Sequence, residues 1–201
     1  MADKNYKAST GIDEFYYGVL TGDAIEGKPE RVEFLQEITV ESPQEPVRAY
    51  GDNKTAEIAV SSGNVSVTAA FHKVPKEDLQ KLLGLETTDD GLSAYGSDDT
   101  PPYVAVVFAK TYEDGSREYV GLPKGIFMRP NVSGTTKSDG VEFSSDEITA
   151  EFMERTVAGF DSEKSVVFGH DEKGSKVSRD AVFKAVFGPT VLDPEPEPEG
   201  V

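Results

Sequence analysis

The chain has 201 residues with no cysteine and no tryptophan, and 37 acidic against 20 basic side chains give it a net charge of −17. This composition excludes a disulfide framework, a thiolate nucleophile and a cysteine zinc site. It also disfavours nucleic-acid binding, which draws on clustered Lys and Arg to release phosphate counterions.

The length fits one large domain, or one domain with appendages. Residues 1–13 read as a polar arm, 14–188 as a single β domain, and 189–201 as a disordered acidic Pro/Glu tail. The opening MADKNYKAST has no apolar leader core, and no stretch approaches the roughly 20 apolar residues of a membrane span. The expectation is a protein made and kept in the cytosol, with no membrane partner, unless a machine exports it without a leader.

DEFYYGVL, at 13–20, predicts a first strand. In RVEFLQEITV, Val32, Phe34, Ile38 and Val40 share one period-2 face, with Gln36 interrupting it. Two prolines and a Gly-Asp-Asn turn at 41–55 predict a long, mobile hairpin connection. AEIAV and VSVTAAF are the next strands. VPKEDLQKLLGL predicts a helix, with Pro75 at its first position and Gly84 at its stop. Residues 86–102, with five acids and no base, predict a loop.

YVAVVFAKTY, Asp114-Gly115 and REYVGL predict a hairpin, and its first strand is apolar on both faces. Pro123-Lys124-Gly125 predicts a tight turn into GIFM, with Lys124 exposed at its tip. A second long loop covers 129–140. VEFSS, EITAEFMER (Ile148, Ala150 and Phe152 on one face) and SVVFG predict further strands. SRDAVFKAVFG predicts a second short helix, N-capped by Ser178 and closed by Gly188. The whole reads as a mainly β fold: two packed sheets, sandwich or barrel, with one or two short flanking α-helices.

The sequence offers no chemistry. His72 and His170 have no ligand-spaced partner, and the acidic loop lacks the spacing of a calcium loop. There is no Gly-x-Ser-x-Gly elbow and no phosphate-binding Gly-rich loop. Asn-x-Ser/Thr triplets at Asn53, Asn64 and Asn131 read as turns. The expectation is no catalytic residue, no cofactor, no metal, and a protein that works through its surface.

ASTGIDEFYYGVL, VPKEDLQKLLG, PPYVAVVFAKTYEDGSREYVGLPKGIFMRP, EFSSDEITAEFMER and AVFKAVFG follow one another in this order. Together they resemble the major tail protein of long-tailed bacteriophages of Gram-positive hosts, over about residues 7–187. The resemblance implies a virion protein, made in the bacterial cytoplasm, whose hexameric rings stack into the tail tube. Phage DNA would pass through without specific binding. The implied partners are other copies of the chain, a tape-measure protein, a tail-tip complex and a tail terminator.

In related tubes an N-terminal segment and a long hairpin reach neighbouring subunits. By position, the contact candidates here are Tyr6, Lys7, Val47, Arg48, Tyr50, Asn53 and Lys54. Lys124 joins them as a basic residue that could pair with a neighbour's carboxylates, while the lumen-facing residues stay unassigned. The alternatives are a capsid decoration protein and, from another class, a carbohydrate-binding module using Tyr16, Tyr17, Tyr95 and Tyr103 as its platform.

Overall fold

The computed structural model describes residues 6–25, 27–52, 54–131 and 144–189. The first five residues, Asn53, most of the 129–140 loop and the tail from 190 lie outside the described residues. The chain runs through β1 (Ser9–Thr21), β2 (Ala24–Ile25), β3 (Glu30–Val32), β4 (Leu35–Glu41), β5 (Gln44–Gly51), β6 (Lys54–Ser62) and β7 (Val65–Phe71). Helix α1 (Lys76–Leu83) follows, then β8 (Glu86–Thr87), β9 (Ser93–Ala94), β10 (Val104–Tyr112), β11 (Arg117–Phe127), β12 (Asp146–Phe152), β13 (Val167–Asp171) and α2 (Val177–Phe187).

One antiparallel sheet dominates, in the order β2-β1-β10-β11-β12-β7-β4, with β13 added to β11 and β3 to β1. It curls over, so that Phe15 of β1 meets Phe71 of β7 edge-on at 5.0 Å. The two layers enclose Phe15, Tyr17, Phe71, Phe108, Phe127 and Phe152. This is the expected pair of packed sheets, although the path ends at β2 and β4 and does not close into a barrel.

β10 shows why the sequence pattern was apolar on both faces. Val104, Val106 and Phe108 point into the core between the layers. Ala105, Val107 and Ala109 face a second cluster, built with Val182, Phe183, Val186 and Phe187 of α2. The helix approaches closely because the strands beneath it carry glycine. A Cβ on Gly121 would stand 2.5 Å from Val186, and one on Gly169 would stand 2.7 Å from Val182.

Several local expectations need correction. No turn occurs at Pro123-Lys124-Gly125, because β11 runs straight through it. The register slips by one residue between Val104↔Gly125 and Val106↔Leu122, so Pro123 and Lys124 sit at a β-bulge, where a missing proline N–H is tolerated. There β11 also changes neighbours, pairing β13 through residues 117–121 and β12 through residues 125–127.

Phe34 leaves the expected apolar face: with φ at 61° it separates β3 from β4 and stays exposed. Leu35 takes the inward place opposite Phe71, and Gln36 is the extra residue of the bulge. The connection expected at 41–55 is mostly strand β5. The acidic loop contains the small β8–β9 hairpin, and β1 begins at Ser9, inside the segment read as an arm.

Both helices end as their sequences require, and both are tied from elsewhere. α1 starts after Pro75 and stops at Gly84 in the left-handed conformation. Tyr17 donates to Asp78 Oδ1 at 2.6 Å, joining β1 to α1; burial and that hydrogen bond push its hydroxyl pKa far up.

Ser178 is not the N-cap of α2, since it lies in the first turn and its hydroxyl donates to His170 O. The cap comes from Asp171 of β13, which accepts from the N–H groups of Ser178 (2.9 Å) and Arg179 (2.8 Å) and from Ser175 Oγ. At the other end, Arg155 donates to Val186 O at 2.6 Å. A carboxylate at the N-terminus and a guanidinium at the C-terminus both suit the helix dipole.

Burial alone would raise the Asp171 carboxyl pKa, but the hydrogen bonds from Ser178, Arg179 and Ser175 outweigh burial and hold it below the ordinary range. A lowered folded pKa means stability that is present above about pH 4 and is lost as pH falls through the folded value. Asp171→Ala is therefore expected to cost about 1–2 kcal/mol at neutral pH. The gap from the parent should shrink in acid, as thermal melts across a pH series would read. A gap that does not change with pH would contradict this account.

Candidate functional site: an open sheet face and a projecting ribbon

Among the described residues, no helix covers the outer face of the β12–β7–β4 layer. Its rows follow from the register: Glu151, Ser66 and Glu41; Thr149, Thr68 and Thr39; Glu147, Ala70 and Glu37. The inward neighbours Ile148, Ala150, Phe152, Val65, Val67 and Ala69 are all buried. Four glutamates therefore stand in two rows, separated by the small side chains of β7. Two strand spacings put Glu151 and Glu41 about 10 Å apart. The result is a smooth, hydroxyl-rich, negative surface.

The edge of this face continues along β11 through Ile126, paired with Glu151, to Met128, whose N–H donates to Thr149 O. Lys124 lies at its corner, with its ammonium 4.4 Å from the centroid of the Tyr103 ring. At the far end of this edge, the Arg129 guanidinium lies 4.6 Å from the Tyr95 ring centroid.

The second feature is the β5–β6 ribbon. Among the described residues it pairs only with itself, from Gln44↔Ser62 to Gly51↔Lys54, and it prolongs the β4–β7 ladder outward. Cross-strand pairs place Pro46 by Val60 and Arg48 by Ile58, with Tyr50 following on the same face. Val47 is opposite Ala59 on the other face. Tyr50, Ile58, Val60 and Val47 are 70%, 61%, 62% and 57% exposed. An isolated two-stranded ribbon is marginally stable in water, and apolar side chains clustered at this exposure mark a contact surface.

The predicted contact residues fall as follows. Val47, Arg48, Tyr50 and Lys54 are on the ribbon and exposed, while Asn53 lies outside the described residues. Tyr6 is exposed, and Lys7 pairs with Glu113 at 3.8 Å. Lys124 is in a strand rather than at an exposed turn. The structure brings the four described ribbon positions onto one element and leaves Tyr6, Lys7 and Lys124 elsewhere.

Ile58, Val60 and the open-face glutamates were not singled out from the sequence. Their signal was the polar half of three period-2 strands, but nothing local says that β4, β7 and β12 lie side by side. Tyr16 and Tyr17 are buried, which dismantles the four-tyrosine carbohydrate platform. Among the described residues no group of three metal-ligating side chains converges, and no helix is long and apolar enough to cross a membrane.

A β fold that presents a bare sheet face and a projecting ribbon defines a protein that works by contact between surfaces. The phage tail tube protein family matches residues 39–194, and the chain belongs to that family. It is a structural protein of the phage tail, a virion component that assembles with other tail components. A chain of the cryo-EM structure of the anti-feeding prophage baseplate, six-fold symmetrised, is similar to it. The two share 10% identity, with 83% of this chain and 96% of that chain covered and a TM-score of 0.39. Comparison with curated proteins finds no match.

Proposed function

We propose that the chain forms stacked hexameric rings that build the tail tube of a long-tailed phage of a Gram-positive host, and that DNA passes through their bore. The observation that carries this reading is the uncovered face with Glu37, Glu41, Glu147 and Glu151 set among Ser and Thr. Turned inward, it gives a lumen wall that repels phosphate. Screening confines that repulsion to about 8 Å at physiological salt, which stops sticking without driving motion.

Among the described residues the sheet path ends in unpaired edges at β4 and β2. Joining edges around a ring removes templates for uncontrolled pairing. The ribbon, with Val47, Arg48, Tyr50, Asn53 and Lys54, reaches a neighbouring copy, and the arm at Tyr6 and Lys7 adds a second contact. A tape-measure protein would occupy the bore during assembly, a tip complex would start the tube and a terminator would end it.

Each copy brings −17 of charge, so ring closure works against self-repulsion and salt is expected to promote it. Negative-stain electron microscopy of concentrated protein across a salt series tests this. The expected result is uniform rings or tubes that increase with ionic strength. Small closed oligomers without tubes at every salt, even with the tip complex added, would overturn the reading and favour a decoration protein.

A further inference from the structure

We propose that the chain's own acidic tail, residues 193–199, docks in cis along the edge of the open face, on the track from Tyr103–Lys124 to Tyr95–Arg129. Both cations on this track lie over tyrosine rings, at 4.4 and 4.6 Å from the centroids. Neither makes a salt bridge to a carboxylate among the described residues. Arg129 also donates to Gly96 O, which fixes it beside Tyr95. Between the two stacks lie half-buried Ile126 and exposed Met128. The track is thus a cation and aromatic ring at each end with an apolar floor between.

The tail has the matching alternation. Asp193, Glu195, Glu197 and Glu199 are interleaved with Pro194, Pro196 and Pro198. Prolines at every second position favour the extended polyproline conformation, at about 3.1 Å per residue, so 193–199 spans roughly 19 Å. From Lys124 to Arg129 is five residues of extended chain, about 17 Å. Carboxylates meet the two cations, and proline rings lie on tyrosine faces, the chemistry by which aromatic-lined grooves take Pro-rich segments.

The tail also leaves the body in the right place. α2 ends at Phe187, and a Cβ on Gly188 would stand 3.0 Å from Ala24 of β2. The next residue of β2, Ile25, pairs with Leu20, whose N–H donates to Tyr103 O at 2.8 Å. The exit is thus about two strand spacings, or roughly 10 Å, from Tyr103. The four steps from Pro189 to Asp193 reach about 14 Å when extended.

Glu151, paired with Ile126, and Asp98 and Asp99 of the neighbouring loop surround the track with negative charge. Binding therefore rests on the two cations and the ring contacts, and salt weakens it. The location gives the contact a use. Pairing of β10 with β11 ends at Val104↔Gly125, so among the described residues no strand pairs with the backbone at 126–129 on that side. A docked tail covers this bare edge in the free chain and leaves when a neighbouring copy takes the edge.

The absence of cysteine allows a single nitroxide label on Gly200→Cys, read by amide NMR on dilute chain at low salt. The expected result is selective loss of the Tyr95, Tyr103, Ile126 and Met128 signals. They should return when the label is reduced, at high salt, in Lys124→Glu/Arg129→Glu, and in Glu195→Gln/Glu197→Gln/Glu199→Gln, which leaves the body untouched. No selective loss, or loss that persists in both variants, overturns the proposal. So does loss seen only between separately labelled chains, which would make the occupant a second copy. The measurement is made on free chains, so its failure leaves the tube reading standing, and failure to form tubes leaves this one standing.

Discussion

Replacing Tyr50, Ile58 and Val60 by aspartate is expected to abolish ring and tube formation while leaving the fold intact. All three lie on one face of the β5–β6 ribbon and are already exposed in the single chain. Surface changes of this kind alter stability by only about 0.5 kcal/mol, so the melting temperature should barely move. In an assembled contact each large apolar side chain is worth about 1.5–3 kcal/mol. Losing three removes at least 4–5 kcal/mol per contact, a thousandfold or more in association. Sedimentation and electron microscopy of parent and variant, under the salt conditions that give tubes, read the result directly. Tubes of normal length and yield from the triple variant would remove the ribbon from the assembly mechanism.

The largest expected effect on stability is at Glu14. It sits with φ at 56° where the β1–β10 register slips between Asp13 and Tyr16, a left-handed conformation that a non-glycine residue adopts at a cost. Its side chain is buried and pairs with Arg117, while Arg179 Nε lies 3.5 Å from its other oxygen. Arg179 is itself buried, stacked at 4.8 Å over Phe183 of its own helix. Asp13 adds pairs to Arg31 and Arg117 at 3.2 and 3.6 Å. The bulge thus drives one carboxylate inward beneath α2, where it holds the helix against β1 and β11.

Glu14→Gln keeps the shape and removes the charge, leaving the Arg179 guanidinium buried without it. Breaking a buried pair in this way costs about 3–5 kcal/mol, or a drop in melting temperature of roughly 10 °C for a chain of this size. Glu14→Gly should fare no worse despite losing the same charge, because glycine relieves the backbone. Equal melting of parent and Glu14→Gln would show that the ion pairs contribute nothing net.

The elements legible in the sequence were those with a local signature. β10 was apolar on both faces, β12 placed Ile148, Ala150 and Phe152 on one side, and α1 was bracketed by Pro75 and Gly84. Where sequence reading failed, a distant residue decided the outcome. Asp171 caps α2 from another strand, so Ser178 was misplaced. Pro123-Lys124-Gly125 looked like a turn because it carries turn residues, yet β10 and β12 hold it in a bulged strand. Phe34 fitted an alternation that the bulge at Gln36 breaks. The ribbon was located but not its apolar face, which depends on which residue of β6 stands opposite each residue of β5. The open face was invisible for the same reason: Glu41, Ser66 and Glu151 come together only through pairing between distant strands.

The place of β10 in the sheet also sets a clock for synthesis. β1 ends at Thr21, yet its main partner is complete only at Tyr112. At about 5–20 residues per second, the aromatic run of β1 waits roughly 5–20 s on the ribosome before it can pair. Its outer face waits longer still, for α2 near the end of the chain. Over that interval the nascent chain depends for solubility on its dense negative charge, the same charge that later resists the packing of one copy against another.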